Sequence, residues 1–267
     1  MNLIHYWRAM SGIVGRELWR FITQRERFIS ALVRPLVWLF VFAAGFRAAL
    51  GLAITPPYET YILYEVYITP GLLGMIQLFN GMQSSLSMVY DREMGSMRIL
   101  LVCPLPRWFL LLSKLLAGVS VSIVQVYVFL AIAWFYDIHA PWQGYLWVML
   151  TLILSGLMLG ALGLLLSSFI KQLENFAGVM NFVIFPMFFM STALYPLWKI
   201  KESSALLYAL AQYNPFSQAV ELTRFALYGQ FNQSAFIYTL LAFIVFMSLA
   251  IIGYNPSQGM MVRKGNG

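Results

Sequence analysis

Apolar runs of membrane-crossing length, broken by short charged or proline-bearing turns, set the pattern of this chain. A helix needs about 17–25 mostly apolar residues to cross a bilayer. Six segments meet that requirement, at 29–50, 62–88, 115–136, 145–167, 176–195 and 234–254. Residues 196–230 are too apolar for a free loop and too interrupted for a simple span. They are expected to form a pair of short re-entrant helices before the last span, with protein covering their open backbone. Ahead of the first span, Leu3, Trp7, Met10, Val14, Leu18 and Phe21 recur at spacings of three and four, while Arg8, Arg16 and Arg20 occupy other faces. That periodicity predicts an amphipathic helix over 3–24, lying in the membrane interface or else buried against the bundle. The resulting plan is an all-α integral membrane protein with six transmembrane helices. An interfacial helix (1–27) precedes a transmembrane domain (28–257) and a short tail (258–267).

Composition supports lipid as the outer solvent. Of 267 residues, 61% are hydrophobic and 10% charged, and mean hydropathy is +0.75. A soluble domain carries about 25% charged residues, so this chain has too few to clothe a water-facing surface. The single cysteine, Cys103, excludes an intrachain disulfide framework and a multi-cysteine metal site. Charges from Arg8 to Arg27 leave no uninterrupted apolar stretch ahead of a cleavage site, so a cleavable signal peptide is not expected. With six spans both termini share one side. That side holds 13 of the 17 Lys and Arg residues, Arg34 among them, and the other holds Arg47, Lys199, Lys201 and Arg224. Basic residues accumulate on the cytoplasmic side. The termini are therefore expected there, and the net charge of +7 needs no nucleic acid to explain it.

Catalytic chemistry is missing from the sequence. It contains no phosphate-binding Gly-x-x-x-x-Gly-Lys-Ser/Thr loop and no Gly-x-Ser-x-Gly elbow, and neither His5 nor His139 has metal-ligand spacing. The most informative segment is the turn between spans two and three, 91–107. Asp91, Arg92 and Glu93 lead into Gly95, Ser96 and Arg98, then Leu100, Leu101, Pro104, Pro106 and Arg107, with Lys114 beyond. A charged cluster there meets a short amphipathic helix that Ser96 can cap and prolines stop.

This segment resembles the intracellular coupling motif of permeases of type-2 ABC exporters, the ABC-2 type family: Glu-x-Gly-Ser/Thr, a Leu pair, a Pro and a later Lys. Glu93, Gly95, Ser96, Leu100, Leu101, Pro104 and Lys114 match it. A second similarity is the run from Tyr213, Asn214 and Pro215 to Glu221 and Arg224, like the Asn-Pro run with a following Arg in the family's re-entrant helices. Arg98 departs from the pattern, since an acidic residue is common there. The resemblance implies a permease subunit in a bacterial inner membrane, with N- and C-termini cytoplasmic. It implies a homodimer that docks two copies of a separate ATPase through Asp91, Arg92, Glu93, Gly95, Ser96 and Arg98, with ATP and Mg bound on that partner and no cofactor in this chain. The run from Tyr195 through Asn214 and Pro215 to Gly229 is also similar to permeases associated with bacterial quinoprotein alcohol oxidation.

Other residues bear on the transport path. Gln77, Asn80, Ser84 and Ser87 share one face of span two and should point inward, lining a path or joining helices. Asn181, Ser191 and Thr192 are weaker candidates of the same kind, and Pro186 should kink span five. Tyr58, Tyr61, Tyr64 and Tyr67 suggest an aromatic belt at headgroup depth or the lining of an exit. Gly156 and Gly160 have the spacing of close helix packing. Glu221 and Arg224, three residues apart, suggest an ion pair holding the re-entrant element. A secondary transporter or channel, and a membrane-embedded enzyme, are the alternative readings. The first asks for ionisable groups at mid-membrane and the second for an acid, base or metal cluster.

Overall fold

The computed structural model describes residues 3–23, 25–46, 56–93, 105–170 and 172–254. The described residues form ten α-helices: α1 (Leu3–Thr23), α2 (Arg25–Phe46), α3 (Tyr64–Glu93), α4 (Arg107–Phe135), α5 (Trp142–Phe169), α6 (Leu173–Phe189), α7 (Leu197–Ser203), α8 (Ala205–Tyr213), α9 (Pro215–Leu227) and α10 (Gln233–Gly253).

Local chemistry marks several of the starts. Prolines with extended backbone stand just before α4, α5 and α7, at Pro106, Pro141 and Pro196. Pro215 opens α9. A proline there loses no helical hydrogen bond, because the first N–H groups of a helix have no internal acceptor. Asn232 caps α10 by accepting from the Ala235 N–H at 3.0 Å.

Among the described residues, α4, α5 and α10 are long and apolar enough to cross a membrane. Shorter apolar helical stretches cover Leu32–Val41 and Leu173–Phe189. Helix α3 has 30 residues but is more polar than those three. Its surroundings explain why: it packs on α2, α4, α5, α6 and α9 and occupies the middle of the bundle. Ile68, Leu73, Leu78 and Met82 are fully buried. A helix lined by other helices can carry side chains that bond to them, whereas α10 turns Leu241, Ile244, Val245 and Ile252 outward.

Small residues bring α3 and α5 together. A Cβ on Gly81 would lie 3.0 Å from the Gly160 backbone, and one on Gly163 would lie 2.6 Å from the Ser85 hydroxyl. Gly156 faces Gln77 and Val119, and Gly160 faces Leu115. The pair with packing spacing therefore sits where α5 meets α3 and α4. Helix α1 lies along α4, with Tyr6 edge-on to Phe109 at 4.9 Å, while Ile4, Trp7, Trp19 and Ile22 are exposed.

Three sequence expectations need correction. The segment 196–230 holds three short helices rather than a pair, because Ser204 and Asn214 each cap a new start. The fifth apolar segment leaves the helix at Phe189 instead of continuing to 195. Its last residues form an irregular turn whose polar groups are captured by side chains of α3 and α9. The tyrosines do not form a belt: Tyr58, Tyr64 and Tyr67 are buried, and only Tyr61 of the four is exposed.

Candidate functional site

Two polar clusters lie inside the bundle. The first surrounds the turn after α6. Ser191, Thr192, Ala193 and Leu194 are essentially inaccessible, so their backbone groups need partners from the protein. Tyr67 donates to the Thr192 carbonyl at 3.0 Å and Tyr64 to the Leu194 carbonyl at 2.9 Å. Both tyrosines stand on the first turns of α3, one helical turn apart, so one face of one helix serves two carbonyls. From α9, the Arg224 guanidinium donates to the same Thr192 carbonyl at 2.7 Å. The Thr192 N–H donates to the Ser217 hydroxyl at 3.2 Å. The Ser191 hydroxyl donates to the Phe188 carbonyl at 2.6 Å and accepts from the Ala193 N–H at 3.1 Å.

Asn214 ties the turn to the start of α9. Its amide donates to the Met187 and Met190 carbonyls at 2.8 and 2.9 Å, while its oxygen accepts from the Phe216 N–H at 2.9 Å. A cap of this kind satisfies an otherwise orphan N–H, and here the same side chain also holds the end of α6. Pro215 follows as the first helical residue.

Among the described residues Arg224 is the largest fully buried side chain, at 2% exposure. It forms an ion pair with Glu221 and lies over the Tyr67 ring at 4.1 Å from the centroid. A buried cation is costly without such compensation. Tyr58 reaches the same region and meets Tyr228 edge-on at 4.6 Å. Burial holds the phenols of Tyr58 and Tyr228 well above the usual tyrosine range, so both are neutral. Close packing leaves no slack: a Cβ on Gly71 would stand 2.6 Å from the Ala193 carbonyl oxygen.

The second cluster lies midway along α3. The Gln77 amide donates to the Leu152 carbonyl and its oxygen accepts from the Ser155 hydroxyl, both at 2.6 Å. Asn80 donates to the Ile76 carbonyl at 2.8 Å and to the Gln125 side chain on α4. Ser84 is half-buried and packs where α4 has Gly118, and Ser87 is exposed. Gln77 thus bridges α3 to α5, and Asn80 bridges α3 to α4. Asn181 stands on the exposed side of α6, apart from these bonds.

Of the charged motif at 91–107, Asp91, Arg92 and Glu93 form the last residues of α3. Gly95, Ser96 and Arg98 lie outside the described residues.

Sequence reasoning found Gln77, Asn80, Asn214, Pro215, Glu221 and Arg224. It missed the partners that make them a unit. Tyr64 and Tyr67 fit an aromatic belt or the lining of an exit by sequence, and Gln125, Ser155 and Ser217 give no periodic signal. Tyrosines at i and i+3 on an otherwise apolar helix are also what two buried carbonyl clamps look like, which no single sequence separates from a belt.

Comparison with known proteins places this arrangement. Residues 8–228 match the family model for the ABC-2 type transporter. The inner membrane transport permease YadH of Escherichia coli K12 is 24% identical over 271 residues, covering 98% of this chain and 97% of that protein. A protein named as a transport permease, ycf38, in Cyanophora paradoxa is 28% identical, covering 91% of this chain and 84% of its own. A protein named as a multidrug ABC transporter permease, YbhR, in Escherichia coli K12 is 31% identical over 62% of this chain and 45% of its own. The matched region runs from α1 to the end of α9 and takes in both polar clusters, and on that basis the chain belongs to the ABC-2 type transporter family.

Proposed function

We propose that this chain is the membrane-spanning permease subunit of an ATP-driven exporter, working as a homodimer with two copies of a separate ATPase that holds ATP and Mg. Helices α2, α3, α4, α5, α6 and α10 are the six spans, in a bacterial inner membrane with both termini cytoplasmic. Helices α7, α8 and α9 form the outer re-entrant element, and α1 lies in the inner interface.

One observation carries the reading. Helix α3 is continuous from Glu93, where the coupling motif begins, to Tyr64, which holds the buried turn after α6. At 1.5 Å per residue it is roughly 45 Å long. A push delivered to its cytoplasmic end by closure of the ATPase would therefore reach the outer knot through one continuous helix. ATP binding would favour one of two packed arrangements of α3 against α5 and α9, opening the path for cargo. The family match and the names of the relatives support the transport role.

The test is purification of the chain with a separately encoded ABC ATPase, followed by ATP-dependent flux in vesicles. Reversal of charge in Glu93→Lys is expected to abolish flux and to uncouple hydrolysis while leaving the protein inserted. Undiminished flux from that variant would remove the coupling role. Ion-driven flux from this chain alone would favour a secondary transporter.

A further inference from the structure

Arg34 lies nine residues into α2, in a cleft between α2, α3 and α4. Its guanidinium stands 4.0 Å from the centre of the Phe79 ring on α3. No carboxylate pairs with it among the described residues. An unneutralised cation on a membrane-crossing helix is costly, and such residues mark sites that act on ions or polar cargo.

The opposite wall carries a second unfilled donor. Gln125 on α4 is 1% exposed and lines the cleft. Its side-chain oxygen accepts from Asn80, whereas its Nε2 has no acceptor. A buried amide N–H left in that state costs roughly 1–3 kcal/mol. Asn80 and Gln83 complete the polar rim, Met75 and Ile76 line the apolar part, and among the described residues no acidic one borders the cleft. A cation and amide groups around a space without any carboxylate suit an anion.

The surface beyond the cleft specifies what the anion is attached to. Val37 and Val41 follow Arg34 at i+3 and i+7, hence on the same face of α2, and are 51% and 56% exposed. Arg34 is roughly 13 Å along the axis from the start of α2. With that end cytoplasmic, the headgroup would lie toward the inner surface and the valine track toward the bilayer centre, the orientation of an inner-leaflet amphiphile.

We propose that this cleft binds the acidic headgroup of an amphiphile, a phosphate or carboxylate, with its apolar tail along Val37 and Val41. The site rests on the spanning arrangement proposed above but not on coupling to ATP.

The test uses the full chain in nanodiscs of phosphatidylcholine with a minor fraction of phosphatidylglycerol, without the ATPase. Native mass spectrometry after release reads the retained lipid. The wild type is expected to retain phosphatidylglycerol over phosphatidylcholine. Arg34→Gln should weaken that retention on the order of tenfold, the loss of one charge-assisted hydrogen bond, and Arg34→Lys should keep most of it. Gln125→Glu, which preserves the acceptor for Asn80 but adds a negative charge, should weaken it as well. Unchanged retention in both Arg34→Gln and Gln125→Glu overturns the site. So does displacement of the lipid by millimolar inorganic phosphate, which would identify a free-anion site, or a disulfide between two copies carrying Arg34→Cys, which would show that a second permease covers the cleft. Because no ATPase is present, failure of coupling leaves this readout untouched. Loss of the lipid site alongside intact ATP-driven flux would sink this inference alone.

Discussion

The guanidinium of Arg224 lies 4.1 Å from the centre of the Tyr67 ring, and both side chains donate to one carbonyl, that of Thr192. Three elements meet there: α3 supplies Tyr67, α9 supplies Arg224, and the turn after α6 supplies the acceptor. Each neighbour solves another's problem. The carbonyl leaves its helix without losing its hydrogen bonds, and the cation is buried with Glu221 and an aromatic face beside it.

Arg224→Leu should therefore cost about 3–5 kcal/mol, since it strands Glu221 and removes a donor from the turn. Arg224→Lys should also be destabilising, because a single ammonium cannot reproduce the planar fork that reaches both Glu221 and Thr192. Thermal unfolding of the detergent-solubilised protein checks both. The double variant Glu221→Gln with Arg224→Leu should recover part of the loss, and its failure to do so would argue against a coupled pair.

Tyr67→Phe separates the hydroxyl from the ring. It should cost about 1 kcal/mol, one hydrogen bond. Tyr67→Leu should cost more, because the aromatic face under Arg224 goes as well. Equal unfolding temperatures for the two variants would show that the ring contributes nothing.

Two glycines make a matched comparison. A Cβ on Gly144 would overlap the Leu227 carbonyl oxygen, where the start of α5 meets the end of α9. Gly144→Ala should lose about 3 kcal/mol or more, since neither backbone can yield easily. Nothing lies within 4 Å of a Cβ on Gly178 in α6. Gly178→Ala should be stabilising by about 0.5–1 kcal/mol, the ordinary helix preference. Yield of folded protein on size-exclusion chromatography and its unfolding temperature test the contrast.

Gln77→Leu distinguishes joining helices from lining a path. Both ends of the Gln77 amide are engaged by α5, and in the variant the single Ser155 hydroxyl proton can turn to the Thr151 carbonyl 2.8 Å away. The change should cost about 1 kcal/mol, typical of one interhelical bond in a membrane, with ATP-dependent flux retained. Loss of flux at unchanged stability would instead place Gln77 on the cargo path.

The all-helical membrane character was legible from the sequence because it rests on local quantities. Twenty consecutive apolar residues need lipid or protein around them whatever their neighbours are, and Asn214 before Pro215 marks a helix start by its own backbone chemistry. Both motifs that carried the family resemblance were likewise contiguous runs, read without knowing which helices touch. Only the tertiary structure decided which polar residues meet. Tyr64 and Tyr67 bond to carbonyls more than 120 positions away in the chain, and Gln125 becomes a cleft wall only once α4 lies beside α2 and α3. Contacts of that separation arise from packing, where the identity of a partner depends on helix rotation and close approach at residues such as Gly71 and Gly81. Hydropathy reports how much a segment avoids water, and it is blind to which neighbour takes water's place.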